Sequence, residues 1–231
     1  MPLPESGQLS LNDIRAELGA NTSNVSLGSM SNTAGFEEPD AISDFYGFSA
    51  ATAPSVSTNA ASGIEHFQMT LNGNVTSDGG ATVTARGFYF GTNSNYVNNL
   101  QVEVGSGTGT FSTTRTNLNA NQLYYITSYA TNSEGTTIGS TVTATTTALT
   151  SFSYNSEGSE EGSACSLEGT EDTAYHNGSG TYPDVDDRVY SNSTGTTPLS
   201  DANYKIDNGS TYGANMVVES GEVVSIINCK S

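Results

Sequence analysis

Residues 122 to 147, QLYYITSYATNSEGTTIGSTVTATTT, alternate large and small side chains through two runs separated by Asn-Ser-Glu-Gly. Successive side chains of a strand point to opposite faces, so a run of this period has one face to bury and one to expose. Asn, Ser and Gly in the break are the residues that turns prefer, because they tolerate unusual backbone angles or bond their own backbone. The stretch reads as a long strand, a turn over Asn132 to Gly135 and a Thr-rich strand that follows it. No helix accommodates that period, so the centre of the chain is β.

The same reading extends upstream. FSAATAPSVSTNAAS, residues 48 to 62, is a small-residue linker passing into a first strand, and HFQMTLNGNVTSDGGATVTARGFYFGT gives two strands around Ser77-Asp78-Gly79-Gly80. LQVEVGSGTGTFSTTRTNL supplies another pair around a glycine loop. About seven strands in about 95 residues is the count of an immunoglobulin-like sandwich. The 25 glycines, the absence of Trp and the crowding of Thr, Ser and Asn around Val, Ile, Tyr and Phe agree with short strands joined by tight turns.

LNANQLYYITSYATNSEGT resembles the penultimate strand and following turn of fibronectin type III-like modules, through Leu118, Tyr124, Ala130, Asn132 and Gly135. ATVTARGFYFGT and VGSGTGTFSTT are similar to the matching strands of fibronectin-like repeats in surface proteins of Bacteroidetes-type bacteria and their phages. The resemblance spans residues 54 to 147 and implies a sandwich over 51 to 148. It departs in having Ala120 where Pro is usual, and in lacking a core Trp; Phe67, Leu71, Phe88 and Phe90 are the candidates to fill that space. The resemblance also puts Tyr124, Ile126, Ser128 and Ala130 on the inward face. Such sandwiches serve adhesion, spacing and decoration equally well, so it implies fold more than function.

Ahead of this body stands SLNDIRAELG, residues 10 to 19, a fully signalled helix. Ser10 is an N-cap with Asp13 as the acidic half of a capping box, Leu9 and Ile14 form a hydrophobic staple, and Gly19 is the stop. Leu11, Ile14 and Leu18 line one face. A helix of roughly eight to ten residues is too short to persist alone in water, so something must cover that stripe. In PDAISDFYGF, Asp40 is a second N-cap and Ile42, Phe45 and Tyr46 share a face before Gly47. Residues 1 to 50 bury too little surface for an independent domain and read as a docking segment; folding back on the adjacent β domain is the alternative. Leu9 to Gly19 followed by Ile42 to Gly47 is similar to the openings of structural proteins of tailed bacteriophages. That resemblance implies particle docking by Leu9, Leu11, Ile14, Leu18, Ile42, Phe45 and Tyr46.

Residues 149 to 231 form a third unit, a small β module, opening acidic and turn-rich, with short strands in YKI, ANMVVES and EVVSIINC. YHNGSGTYPDVDDRVYSNSTGTTPL resembles a small β module at the ends of phage and Bacteroidetes surface proteins, flanked by a cysteine on each side, here Cys165 and Cys229. A bridge between them would close a loop of about 65 residues and contribute about 4 kcal/mol on the chain-entropy estimate. A pair of buried thiols is the alternative, since a particle assembled in a reducing cytoplasm meets oxidant only after lysis.

The chemistry-bearing residues are few. GSGTG at 105 to 109 has no following helix to present to phosphate and reads as a hairpin loop. HNGSG at 176 to 180 lacks the spacing of a nucleophile elbow. His66 and His176 fall in different units, which argues against a shared dyad. Asp184, Asp186 and Asp187 offer hard oxygen ligands but not the calcium-loop spacing of an EF-hand, and read as an acidic turn with Arg188 as neutralising neighbour. No metal, cofactor or catalytic residue is expected. A formal net charge of -18 with six Lys plus Arg disfavours nucleic-acid and anionic-membrane partners. Residues 1 to 30 lack the basic and apolar regions of a secretory signal, and no window reaches membrane-span length.

The expected chain is therefore mainly β: a short helical N-terminal anchor, an Ig/fibronectin III-like β-sandwich and a small C-terminal β module. The expected function is a non-enzymatic virion component, a head fibre, decoration or tail appendage. Its partners would be capsid, portal-proximal or tail proteins and a host-surface glycan or protein. Monomer and homo-oligomer both stay open, and a bacterial cell-surface adhesin module is the alternative.

Overall fold

The computed structural model describes residues 3–6, 8–19, 30, 33–34, 45, 47–155, 171–206 and 213–229. The described chain is mainly β, with one short N-terminal helix and several antiparallel sheets, and its central part resembles immunoglobulin-like domains.

The helix α1 runs Leu11–Glu17. Its capping box forms as the sequence predicts: Ser10 Oγ accepts from Asp13 N at 3.2 Å, and Ser10 N donates to Asp13 Oδ2 at 2.8 Å. Ser10 Oγ also donates to Asp13 Oδ2 at 2.6 Å, and this bond first and the Ser10 N–H second hold the Asp13 carboxyl below the usual carboxylate range. Ile14 and Leu9 are buried with Leu3, Met30 and Phe45, and Leu18, Ala34 and Phe48 pack around them. Leu3 N donates to Phe48 O at 2.8 Å and Gly47 N to Pro4 O at 3.1 Å, so the first and last parts of the head pair across it. The cover that the helix stripe requires thus comes from the head itself. Phe45, from the second short element that the sequence offers, is part of that cover, while Leu11 of the stripe stays exposed.

The sandwich has seven strands: β1 Ser55–Ser62, β2 Met69–Ser77, β3 Ala85–Gly91, β4 Leu100–Gly105, β5 Gly109–Arg115, β6 Leu123–Asn132 and β7 Gly135–Thr145. One sheet is ordered β1-β2-β5 and the other β4-β3-β6-β7. The loop of residues 105 to 109 therefore crosses between sheets, which corrects the hairpin reading; Arg86 Nη1 donates to its carbonyls at Gly107, Thr108 and Gly109. Between the sheets lie Met69, Leu71, Val75, Phe88, Phe90, Phe111, Tyr124, Ile126 and Ala130. Gly73 faces inward opposite Phe111, whose ring fills the space that a side chain at 73 would need.

The inward set of β6 is the expected one, with Ile126, Ser128 and Ala130 fully buried. Ser128 is the polar member, and Thr58 of the opposite sheet satisfies it: Ser128 N donates to Thr58 Oγ1 at 2.9 Å and the two hydroxyls lie 2.8 Å apart. Gly139 leaves the room for that stitch. The outward set is buried more than simple alternation implies, since Thr127 and Tyr129 are also inaccessible. The Tyr129 ring lies over Gly87, where a side chain would collide with it, and packs on Tyr89 with centroids 5.4 Å apart.

Among its described residues the C-terminal module has six strands: β8 Thr150–Asn155, β9 Asp172–His176, β10 Val189–Tyr190, β11 Ala202–Ile206, β12 Ala214–Glu219 and β13 Glu222–Asn228. They form one antiparallel sheet in the order β10-β9-β8-β11-β12-β13. Its two ends meet, because Val189 N donates to Gly221 O, Asp186 N to Val223 O and Val223 N to Asp187 O, each at 2.9 Å. Curled in this way, the sheet encloses Phe152, Ala174, Val189, Tyr204, Ile206, Met216 and Val218. Ser220 and Gly221, both at positive φ, make the two-residue β12–β13 turn.

Head and C-terminal module attach at opposite ends of the sandwich. At the end where β2 and β6 finish, Asn132 Nδ2 donates to Thr52 O and Asp78 O, each at 2.7 Å, and Thr52 N donates to Gly79 O at 2.8 Å. At the end where β2 and β6 begin, Phe67 and Ala120 meet Leu149 and Tyr190. Phe67 is thus displaced from the sandwich core that the sequence assigned to it.

Candidate functional site

The docking residues expected from sequence separate into three groups. Leu9, Ile14 and Phe45 are buried inside the head's own apolar cluster, with Leu18 packed against it. A side chain that is already covered adds no apolar surface to a second contact, so these residues shape the head rather than face a partner. Leu11 is the exception at 46% exposed, presented from the first turn of α1. Ile42 and Tyr46 lie outside the described residues. Glu17, on the last turn of α1, accepts from Ala50 N at 3.2 Å and Ser49 Oγ at 3.3 Å, which fixes the helix against the chain leaving the head.

The C-terminal module holds a His–carboxylate pair that sequence reasoning did not find. His176 is fully buried at the end of β9, with Nδ1 3.2 Å from Asp187 Oδ2. The same oxygen accepts from Asp184 N at 2.8 Å, and Gly178 leaves no room for a side chain beside it. His176 Nε2 has no hydrogen-bond partner, and the ring packs edge-on to Phe152. A dyad that works on a substrate needs its outer nitrogen within reach of one; here that nitrogen is sealed in the core. The pair acts structurally, anchoring the segment that closes the sheet onto β13.

That anchoring also explains the acidic turn. Asp187 turns inward, and Asp186 adopts a φ of 74° while its N–H reaches Val223. Arg188 pairs with Glu222 at 3.7 Å, which corrects its expected role as neutraliser of the turn. Among the described residues no group of three or more His, Cys, Asp or Glu is arranged to hold a metal ion. His66, in the sandwich, places Nδ1 3.2 Å from Thr147 O and belongs to the joint between the β units.

A groove of about 560 Å³ lies along the three-stranded sheet, lined by Asn59, Ala60, Asn72, Gly73, Thr110, Phe111 and Ser112. It contains no titratable side chain. A smaller one of about 300 Å³ beside β8 and β9 includes Glu171 and Tyr182. Cys229 is in a disulfide, and the chain's other cysteine, Cys165, lies outside the described residues.

The sequence matches no protein-family profile and no curated protein. Among solved structures it is similar to the sensor domain of the anti-sigma factor RsgI4 of Pseudobacteroides cellulosolvens, at 18% identity and a TM-score of 0.35, over 43% of this chain and 100% of that one. It is also similar to a crystal structure of domains from titin, at 17% identity and a TM-score of 0.30, over 43% of this chain and 33% of that one.

Proposed function

We propose that this chain is a non-enzymatic structural component of a tailed-bacteriophage particle, docked through residues 1 to 50 and projecting its two β units outward as a head fibre, decoration or tail appendage. One arrangement carries the reading: the helical head and the C-terminal module sit at opposite ends of the sandwich, tied there by Asn132 to Thr52 at one end and by Phe67 to Tyr190 at the other. A body built in this order has one end to attach and another to present. The exposed Leu11 on a head held together by its own small core is the feature offered for attachment. The strongly acidic balance suits a solvated projecting surface and gives nucleic acid nothing to bind.

Mass spectrometry of purified particles tests the proposal. The reading expects the chain at a fixed copy number per particle. Its absence from particles together with recovery in the cell-surface fraction would establish the adhesin reading in its place.

A further inference from the structure

We infer that the sandwich and the C-terminal module move as one rigid arm, locked by a joint of Phe67, Ala120, Leu149, Tyr190 and Gly195. Linked domains are expected to move relative to one another unless their interface is built to prevent it. Three independent features build it here.

The first is the linker. Residues 146 to 149 join β7 to β8, and each side of this stretch is pinned. Thr146 Oγ1 donates to Asn119 O at 2.6 Å and accepts from Gln122 N at 3.0 Å. Thr147 N donates to Glu65 O at 3.1 Å, and Thr147 O accepts from Asn121 N at 3.3 Å. Leu149 is buried against Ala120 and Tyr190. A flexible tether exposes its backbone to water; this one is bonded to the β1–β2 and β5–β6 loops at once.

The second is a main-chain bond between the units. Ala120 is fully buried, and its N–H donates to Thr194 O at 3.0 Å. Thr194 sits in a loop made stiff by Asn192, whose Nδ2 reaches the hydroxyls of Thr196 and Thr197 at 2.7 and 3.0 Å while its Oδ1 accepts from Thr196 N at 3.0 Å. A buried donor that lost this acceptor would be left unsatisfied, so opening the joint carries a desolvation penalty.

The third is the fit of ring on backbone. The Phe67 ring packs on Tyr190 with centroids 5.5 Å apart and lies directly over Gly195. Any side chain at 195 would strike that ring, and Gly195 holds a φ of 69°, which other residues rarely adopt. The position is specialised twice over for close approach of the sandwich.

The test is ¹⁵N relaxation on the full chain, comparing rotational correlation times from amides of residues 55–145 with those of 172–228. The wild type is expected to give one shared value. Ala120→Pro removes the N–H, and Gly195→Val drives a side chain into Phe67. Each is expected to give two distinct values, both below the wild-type one and the C-terminal module's the shorter, with the core amides of both units retaining their wild-type shifts. Gly195→Ala provides the milder second variant if Gly195→Val fails to fold. Two distinct values in the wild type would overturn the proposal, as would one shared value surviving in folded variants at both 120 and 195.

Discussion

The side-chain amide of Asn132 donates to the carbonyl oxygen of Thr52 at 2.7 Å, joining the end of β6 to chain 80 positions upstream. The same amide donates to Asp78 O, while Asn132 Oδ1 accepts from Glu134 N and Gly135 N. One buried residue therefore ties the segment that leads into β1, the turn before β3 and the turn before β7. Asn132→Ala strands several backbone groups and is expected to cost about 1–3 kcal/mol in urea unfolding. Asn132→Asp keeps the acceptor for the β6–β7 turn but loses both donations, and should recover only part of that loss. A change below about 0.5 kcal/mol for Asn132→Ala, the range of ordinary surface substitutions, would contradict the assignment.

Ile126 is fully buried between the sheets, beside Phe90 and Tyr124, whose rings stack 5.0 Å apart. Ile126→Ala should destabilise the sandwich by about 2–5 kcal/mol, the usual range for truncating a core aliphatic. Equilibrium denaturation followed by tyrosine fluorescence reads it directly.

The parts of this fold legible in the sequence are those set by local pattern. Ser10 and Asp13 marked the capping box because it needs only residues three apart, and the alternation of Tyr124 to Ala130 marked two opposite faces because the strand period is fixed, the choice of the inward one resting on the fibronectin-like resemblance. What was hidden depends on contacts distant in sequence. Tyr129 is buried on the outward face with its ring over Gly87 of the neighbouring strand, and Thr127 is buried there with its hydroxyl 2.7 Å from that of Thr141. Tyr124 Oη accepts from Asn119 N at 3.0 Å, a tyrosine corner that residue spacing alone did not announce. Phe67 was assigned to the sandwich core because it is a large aromatic near a strand, and the joint claimed it instead. The one readable trace of that joint was Ala120, whose N–H a proline would lack. The pairing of His176 with Asp187 left no trace, since the two meet only through the register in which β10 pairs with β9, Val189 opposite His176.

Burial raises the proton affinity of three tyrosines. Desolvation is the leading cause at Tyr129, Tyr154 and Tyr190; nearby charge adds to it at Tyr154, chiefly from Asp172, and Arg188 partly offsets it at Tyr190. In the unfolded chain these phenols ionise near pH 10. Above that pH the unfolded state binds fewer protons than the folded state, so stability falls as pH rises; below it, the three phenols add no pH dependence. Urea midpoints should therefore drop between about pH 9.5 and 11. Tyr129→Phe and Tyr190→Phe should each make that drop shallower, and an unchanged slope in both would contradict the assignment.

The head separates two kinds of apolar residue. Ile14 is fully buried in its cluster while Leu11 is 46% exposed. Ile14→Asp puts a charge in a small core and is expected to unfold the head, lost as protection of its amides from hydrogen exchange. Leu11→Asp should leave that protection intact and lower incorporation into particles. Normal incorporation of Leu11→Asp would remove Leu11 from the docking surface.

A subnanometre reconstruction of the particle bears most directly on the central claim, that the chain docks by its head and projects its β units. The account predicts density for residues 1 to 50 against the particle body, the sandwich beyond it and residues 149 to 231 outermost. A particle lacking this chain, or one in which the C-terminal module makes the attachment and the head points to solvent, would contradict it.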